Sequence, residues 1–98
     1  MSQRTLYRTL EVNEATSPVQ RVEYYLLTDH ARFDGGFLEV YGVELVLYRE
    51  DRRKPEIARI RNVTPIGSRI LRILDCLCSS VVTPMGLQEA MEEVLERV

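Results

Sequence analysis

Ile57-Ala58-Arg59-Ile60-Arg61-Asn62-Val63-Thr64-Pro65-Ile66-Gly67-Ser68-Arg69-Ile70-Leu71-Arg72-Ile73-Leu74-Asp75-Cys76-Leu77 is the stretch on which the fold turns. Up to Val63 its pattern is that of a short strand, with Ile57 and Val63 on one face and Ala58 and Ile60 on the other. Beyond Thr64-Pro65 the period changes: Ile66, Ile70, Ile73, Leu74 and Leu77 recur at spacings of three and four. That is the stripe of an amphipathic helix, with Leu71 and Cys78 on its flank. Thr64 reads as the N-cap and Pro65 as the first helical residue, where a missing N–H costs nothing. Gly67 weakens the first turn, and Ser79-Ser80 closes the helix.

Upstream the punctuation is that of strands and turns. Leu6, Leu10 and Val12 alternate with Tyr7, Thr9 and Glu11, Arg8 being the one polar residue on the apolar side, so a first strand is predicted there. Asn13 to Gln20 has a loop composition, and Val22, Tyr24 and Leu26 then alternate with Glu23, Tyr25 and Leu27 as a second strand. Asp34-Gly35-Gly36 is a hairpin turn signal, and Phe37 to Tyr48 a third, β-rich run antiparallel to the second. Gly42 inside it marks a bulge or a break, with Tyr41 to Arg49 as the well-paired portion. Glu50-Asp51-Arg52-Arg53-Lys54-Pro55 is a charged turn before the fourth strand.

Downstream, Thr83-Pro84 repeats the helix-start signal of Thr64-Pro65, and Leu87, Met91, Val94, Leu95 and Val98 form a second stripe with Ala90 at its edge. The order is ββββαα: an α+β domain in which a four-stranded antiparallel sheet is followed by two C-terminal helices packed on one face. The core is expected from Leu26, Val43, Leu45, Ile60, Ile70, Leu74, Leu77, Leu87, Met91 and Leu95.

Composition sets the bounds. A length of 98 residues, 45% hydrophobic and 29% charged, makes residues 1–98 a single domain that folds without metals or disulfides. The net charge of −2 gives no global reason to bind nucleic acid or a membrane, and no apolar run spans a bilayer. Met1-Ser2-Gln3-Arg4 precedes no apolar segment of secretory type, so the cytoplasm is the expected compartment. Cys76 and Cys78, two apart on a helix, diverge too far around the axis to bridge and lack the partners of a zinc site, so free thiols are expected.

Charge is segregated along the chain. Residues 1–48 sum to −3, residues 49–72 to +5 and residues 73–98 to −4. Within the basic segment Arg52, Arg53, Lys54, Arg59 and Arg61 are the candidate contacts for an acidic protein partner or for nucleic acid, arginine being suited to bidentate pairing with carboxylate and phosphate. Glu89, Glu92, Glu93 and Glu96 make an acidic ridge opposite the apolar stripe of the second helix. Tyr24 and Tyr25 point to opposite sheet faces, one into the core. The second face, with Tyr7, Leu27 and Val43 or Val46, is apolar enough to invite a homodimer that buries Tyr25 and Leu27 if Tyr24 and Leu26 face the helices, the reverse phase being equally open to the sequence and pairing of strand edges being the competing geometry.

Catalytic chemistry has little footing. The single histidine, His30, lies beside Asp29 in a segment read as loop, Asp29 to Asp34, and no hydrolase, P-loop or dinucleotide motif accompanies it. No catalytic, cofactor-binding or metal-binding residues are assigned. The expectation is a non-enzymatic protein-interaction or regulatory module, with a small nucleic-acid binder using the 49–72 segment as the alternative. Tyr24-Tyr25-Leu26-Leu27, Tyr41-Gly42-Val43-Glu44 and Val82-Thr83-Pro84 with Leu87 and the acidic helix resemble a family of small uncharacterised bacterial proteins, a domain of unknown function, over roughly residues 22–98. The resemblance implies a bacterial cytoplasmic setting and brings no activity, substrate or site residues with it.

Overall fold

The computed structural model describes residues 2–12 and 19–97, with the side chain of Phe33 outside the description. The elements are β1 (Gln3–Val12), β2 (Gln20–Phe33), β3 (Gly36–Arg49), β4 (Glu56–Thr64), α1 (Gly67–Ser79), a 3-10 turn (Pro84–Gly86) and α2 (Leu87–Arg97). The strands form one antiparallel sheet in the order β1-β2-β3-β4, and the helices follow them, as the change of period at Thr64-Pro65 predicts. The predicted loop from Asn13 lies mostly outside the described residues, as does Val98.

The core is one apolar layer between sheet and helices. Val22, Tyr24, Val43, Leu45 and Leu47 meet Ile70, Ile73, Leu74, Leu77, Leu87 and Met91, all fully buried, with Leu26 and Ile60 packed at the margin. Tyr24 is the core tyrosine, and its hydroxyl donates to the carbonyl of Val82, 2.7 Å away, which satisfies a group that burial would otherwise penalise. Leu95, expected in the core, is exposed, because Leu87 and Met91 one turn apart already fill the contact and α2 ends soon after.

Where local detail departs from expectation, backbone irregularities are the cause. In β1 the register slips between Leu6 and Arg8, so Tyr7 turns to the helix side while Leu6 faces the opposite side, exposed. Tyr7 therefore does not join the second face; its hydroxyl donates to the Asp75 carboxylate on α1, which raises the pKa of the phenol. The β3 ladder with β2 is continuous from Gly36 to Arg49, so Gly42 breaks nothing there. Its role is on the other side: from Tyr41↔Thr64 to Val43↔Ile60, two steps along β3 span four along β4. A Cβ on Gly42 would lie 2.3 Å from the Ile60 carbonyl oxygen, and Asn62 takes a φ of 57° within the bulge. The bulge returns Val63 to the core side, away from Ile57.

α1 begins at Gly67, two residues after the predicted start. Thr64 is still paired in the sheet with Tyr41, a residue before proline is held extended, and Ile66 with φ −96° and ψ 110° is the N-cap. Thr64 instead uses its hydroxyl to accept the Ile66 N–H at 3.1 Å. Thr83-Pro84 likewise opens a 3-10 turn before α2.

The largest departure is in the hairpin. Asp29 to Phe33 is strand, since β2 pairs with β3 as far as Phe33↔Gly36 around Asp34-Gly35, where Gly35 supplies a φ of 97°. β1 accompanies β2 only to Thr28, and β4 accompanies β3 only to Tyr41. Beyond them residues 29–40 project as a bare two-stranded ribbon from a molecule measuring 55 × 29 × 18 Å.

Candidate functional site

Ion pairing within the chain accounts for much of the basic segment. Arg59 Nη2 lies 3.6 Å from one carboxylate oxygen of Glu44, and Arg4 Nε lies 3.2 Å from the other. Glu44 is only 4% exposed although it sits on the sheet face that no helix covers. Its cross-strand neighbours are Tyr25 and Arg59, and the guanidinium of Arg4 stacks 3.6 Å above the Tyr25 ring. Two half-exposed arginines and one aromatic ring thus cap a buried carboxylate. Arg21 lies over Tyr48 at 4.5 Å in the same manner.

This cover changes the reading of the second face. Leu27 is 2% exposed and Val46 1%, inside a single chain and without a second layer of secondary structure. Across the sheet Leu27 has Arg4 and Gly42 beside it, and Val46 has Glu23 and Ile57. Tyr24 takes the core side and Tyr25 the face away from the helices, the phase that alternation alone leaves open; Val43 is on the helix side, and the face does not present an open apolar surface.

At the root of the ribbon, Arg61 Nη1 is 3.1 Å from Asp29 Oδ1, and Ser2 donates to the same carboxylate. The Ser2 hydrogen bond holds the Asp29 carboxyl below its ordinary range; burial opposes it, and the charge and hydrogen bond of Arg61 add to the lowering. Arg52 and Arg49 each reach Glu56 at 4.0 Å. Of the five basic candidates, Arg53 and Lys54 alone take part in no ion pair among the described residues, and they share the exposed turn before β4.

The acidic ridge forms on α2 as the periodicity requires. Glu89, Glu92, Glu93 and Glu96 are all exposed, and Glu93 pairs with Arg97 at 2.9 Å. No ion pair among the described residues joins the ridge to the basic segment. Between the second half of α1 and α2 is a cleft of 440 Å³, with Val82, Ala90 and Val94 as its apolar wall and Asp75, Cys76 and Glu93 at its polar side. Cys76 is exposed there, whereas Cys78 points into the core and burial pushes its thiol pKa up.

The ribbon carries residues that sequence reasoning missed. His30, placed in a loop by the sequence, is in β2 opposite Glu39, at 3.6 Å. Phe37 and Leu38, at the tip, are 70% and 44% exposed and point to opposite faces of the ribbon. The signal was present as two apolar residues following a tight glycine turn, but strand pairing alone does not say that flanking strands stop short. Among the described residues no group of three or more His, Cys, Asp or Glu side chains could hold a metal ion, and no helix is long and apolar enough to cross a membrane.

A family model for a family of unknown function, DUF6514, matches residues 3–97, from the first residue of β1 to the last of α2. The chain belongs to the DUF6514 family. The match takes in β1, which the motif resemblance over roughly residues 22–98 leaves out. Neither the curated proteins nor the solved structures contain a match to this DUF6514 chain.

Proposed function

We propose that this DUF6514 domain is a non-enzymatic protein-interaction module whose contact element is the ribbon of residues 29–40. The observation that carries the reading is the exposure of Phe37, at 70%, on a hydrogen-bonded two-stranded projection free of flanking strands and helices. A large aromatic ring held in water on a pre-formed strand is the kind of anchor that protein interfaces bury, because ordering it costs little when the backbone is already fixed. The rest of the surface supports the assignment. Leu27 and Val46 are buried within the single chain, and both outer strands carry bulges, a feature that discourages edge pairing.

The nucleic-acid alternative needs Arg52, Arg53, Lys54, Arg59 and Arg61 to be available for phosphate. Arg59 and Arg61 already face Glu44 and Asp29, so a ligand would have to compete with carboxylates fixed in place. A photo-crosslinking residue at position 37, compared with one at position 53, tests the choice in the native cytosol. The interaction reading expects protein adducts at position 37. Adducts confined to position 53, or none at either, would contradict it.

A further inference from the structure

Resting on that reading, we propose that the ribbon's occupant is α2 of a second copy of this chain, in a two-fold dimer where each ribbon receives the other's acidic helix. The ribbon is a ledge. α1 starts at its root, where Gly67 lies against the Tyr41 ring, and runs away from it, so the helix-side face beyond Tyr41 has nothing above it. That face carries Arg32 beside its cross-strand neighbour Phe37, with the exposed Ile66 at the step and Arg69 in the first turn of α1. Between this pair and Tyr41 the same face carries His30 opposite Glu39 at 3.6 Å, the Tyr41 hydroxyl also donating to that carboxylate, so the one anion of the strip is already engaged and Phe37 is left beside the cation of Arg32.

The matching surface is elsewhere on the same molecule. α2 packs against the far half of α1, from Asp75 to Ser80, and presents Glu89, Glu92 and Glu96 outward with the exposed Leu95 among them. Neither Arg32 nor these three glutamates has an ion-pair partner among the described residues, and like charges four residues apart on a helix repel until a cation is brought to them. Two complementary surfaces that cannot meet within one chain can meet between two. An axis perpendicular to the long dimension sets each ribbon opposite the other copy's α2, making the same contact twice and closing the assembly. Lengths agree: α2 has 11 residues, about 16 Å of helix, and the ribbon's five paired positions per strand span about 17 Å.

The test is light scattering on the full chain over a concentration series, with charge-swap variants at exposed positions. The chain should reach twice its monomer mass, and Arg32→Glu, Phe37→Ser and the pair Glu92→Arg/Glu96→Arg should each raise the dissociation constant by about tenfold or more. Combining Arg32→Glu with Glu92→Arg/Glu96→Arg should restore most of the loss, which a merely structural role for these residues would not do. A monomer at every concentration, a dimer indifferent to these changes, or reversals without rescue would each overturn α2 of a second copy as the occupant. A monomer that still forms adducts through position 37 with a different protein would overturn this inference and leave the interaction reading standing.

Discussion

The hairpin of β2 and β3 is one continuous ladder that leads two different lives. From Gln20 to Thr28, and from Tyr41 to Arg49, it is flanked by β1 and β4 and has the helix layer on one face. There Val22, Tyr24, Val43, Leu45 and Leu47 lose essentially all contact with water. From Asp29 to Val40 the same two strands keep their pairing but have no flanking strand; Asp29 and Val40 at the root are still held by the body of the domain, while Phe37 and Leu38 at the tip stand in solvent. Hydrogen bonding is common to both halves, so it is the apolar burial that differs, and burial is what dominates folding free energy. One half holds the domain together, and the other is left available.

The comparison can be broken from either side. Leu74→Ala removes a fully buried side chain beneath the covered half and should cost about 2 to 5 kcal/mol in a denaturant titration. A loss below about 1 kcal/mol would mean that the helix layer does not stabilise that half. Gly42→Ala probes the boundary: the new methyl would meet the Ile60 carbonyl at 2.3 Å and the Arg61 Cα at 2.9 Å, both backbone atoms that cannot swing aside. It should cost about 1 to 3 kcal/mol, by the same titration. An unchanged midpoint would show that β4 can slide on β3.

Tyr24→Phe should cost about 1 to 2 kcal/mol by leaving the Val82 carbonyl without its donor. Burial also raises the Tyr24 pKa in the folded state. The unfolded chain then ionises this tyrosine first, so its share of stability is intact below the ordinary phenol range and drains away as pH rises above about 10. Following tyrosinate absorbance and unfolding together on an alkaline titration should show Tyr24 ionising only as the fold is lost; ionisation in an intact fold would contradict its burial. At the other extreme, Leu38→Ala on the ribbon should change stability by no more than about 0.5 kcal/mol. A core-sized loss there would erase the distinction between the halves.

Much of this fold was legible in advance because periodicity reports which side of an element is dry. The change of period at Thr64-Pro65 placed the four strands before the two helices, and Ile70, Leu74, Leu77, Leu87 and Met91 are buried as their spacing requires. What escaped was the part that depends on neighbours far along the chain. The slip at Leu6 and Arg8 sent Tyr7 to Asp75, and the bulge around Asn62 returned Val63 to the core, neither of which alternation in one strand can report. Nothing in the strand around Glu44 marks it as an ion-paired residue; only the sheet order brings Arg4 from β1 and Arg59 from β4 over it. The ribbon was hidden for the same reason, since nothing local in Asp29-His30-Ala31-Arg32 says that β1 stops opposite Thr28. Of the candidate contact residues, the glutamates of α2 are exposed together as read, whereas Arg59 and Arg61 are engaged by carboxylates from β3 and β2.

Residue-resolved amide exchange of the dilute chain tests the division of the hairpin most directly. Amides of Tyr24 and Leu45 should exchange only through global unfolding, while the ladder-bonded amides of residues 29–40 should exchange through local opening, faster by orders of magnitude and unaffected by Leu74→Ala. Equal protection in the two halves, falling together in Leu74→Ala, would mean that the ribbon is part of the cooperative core and not a surface held out for a partner.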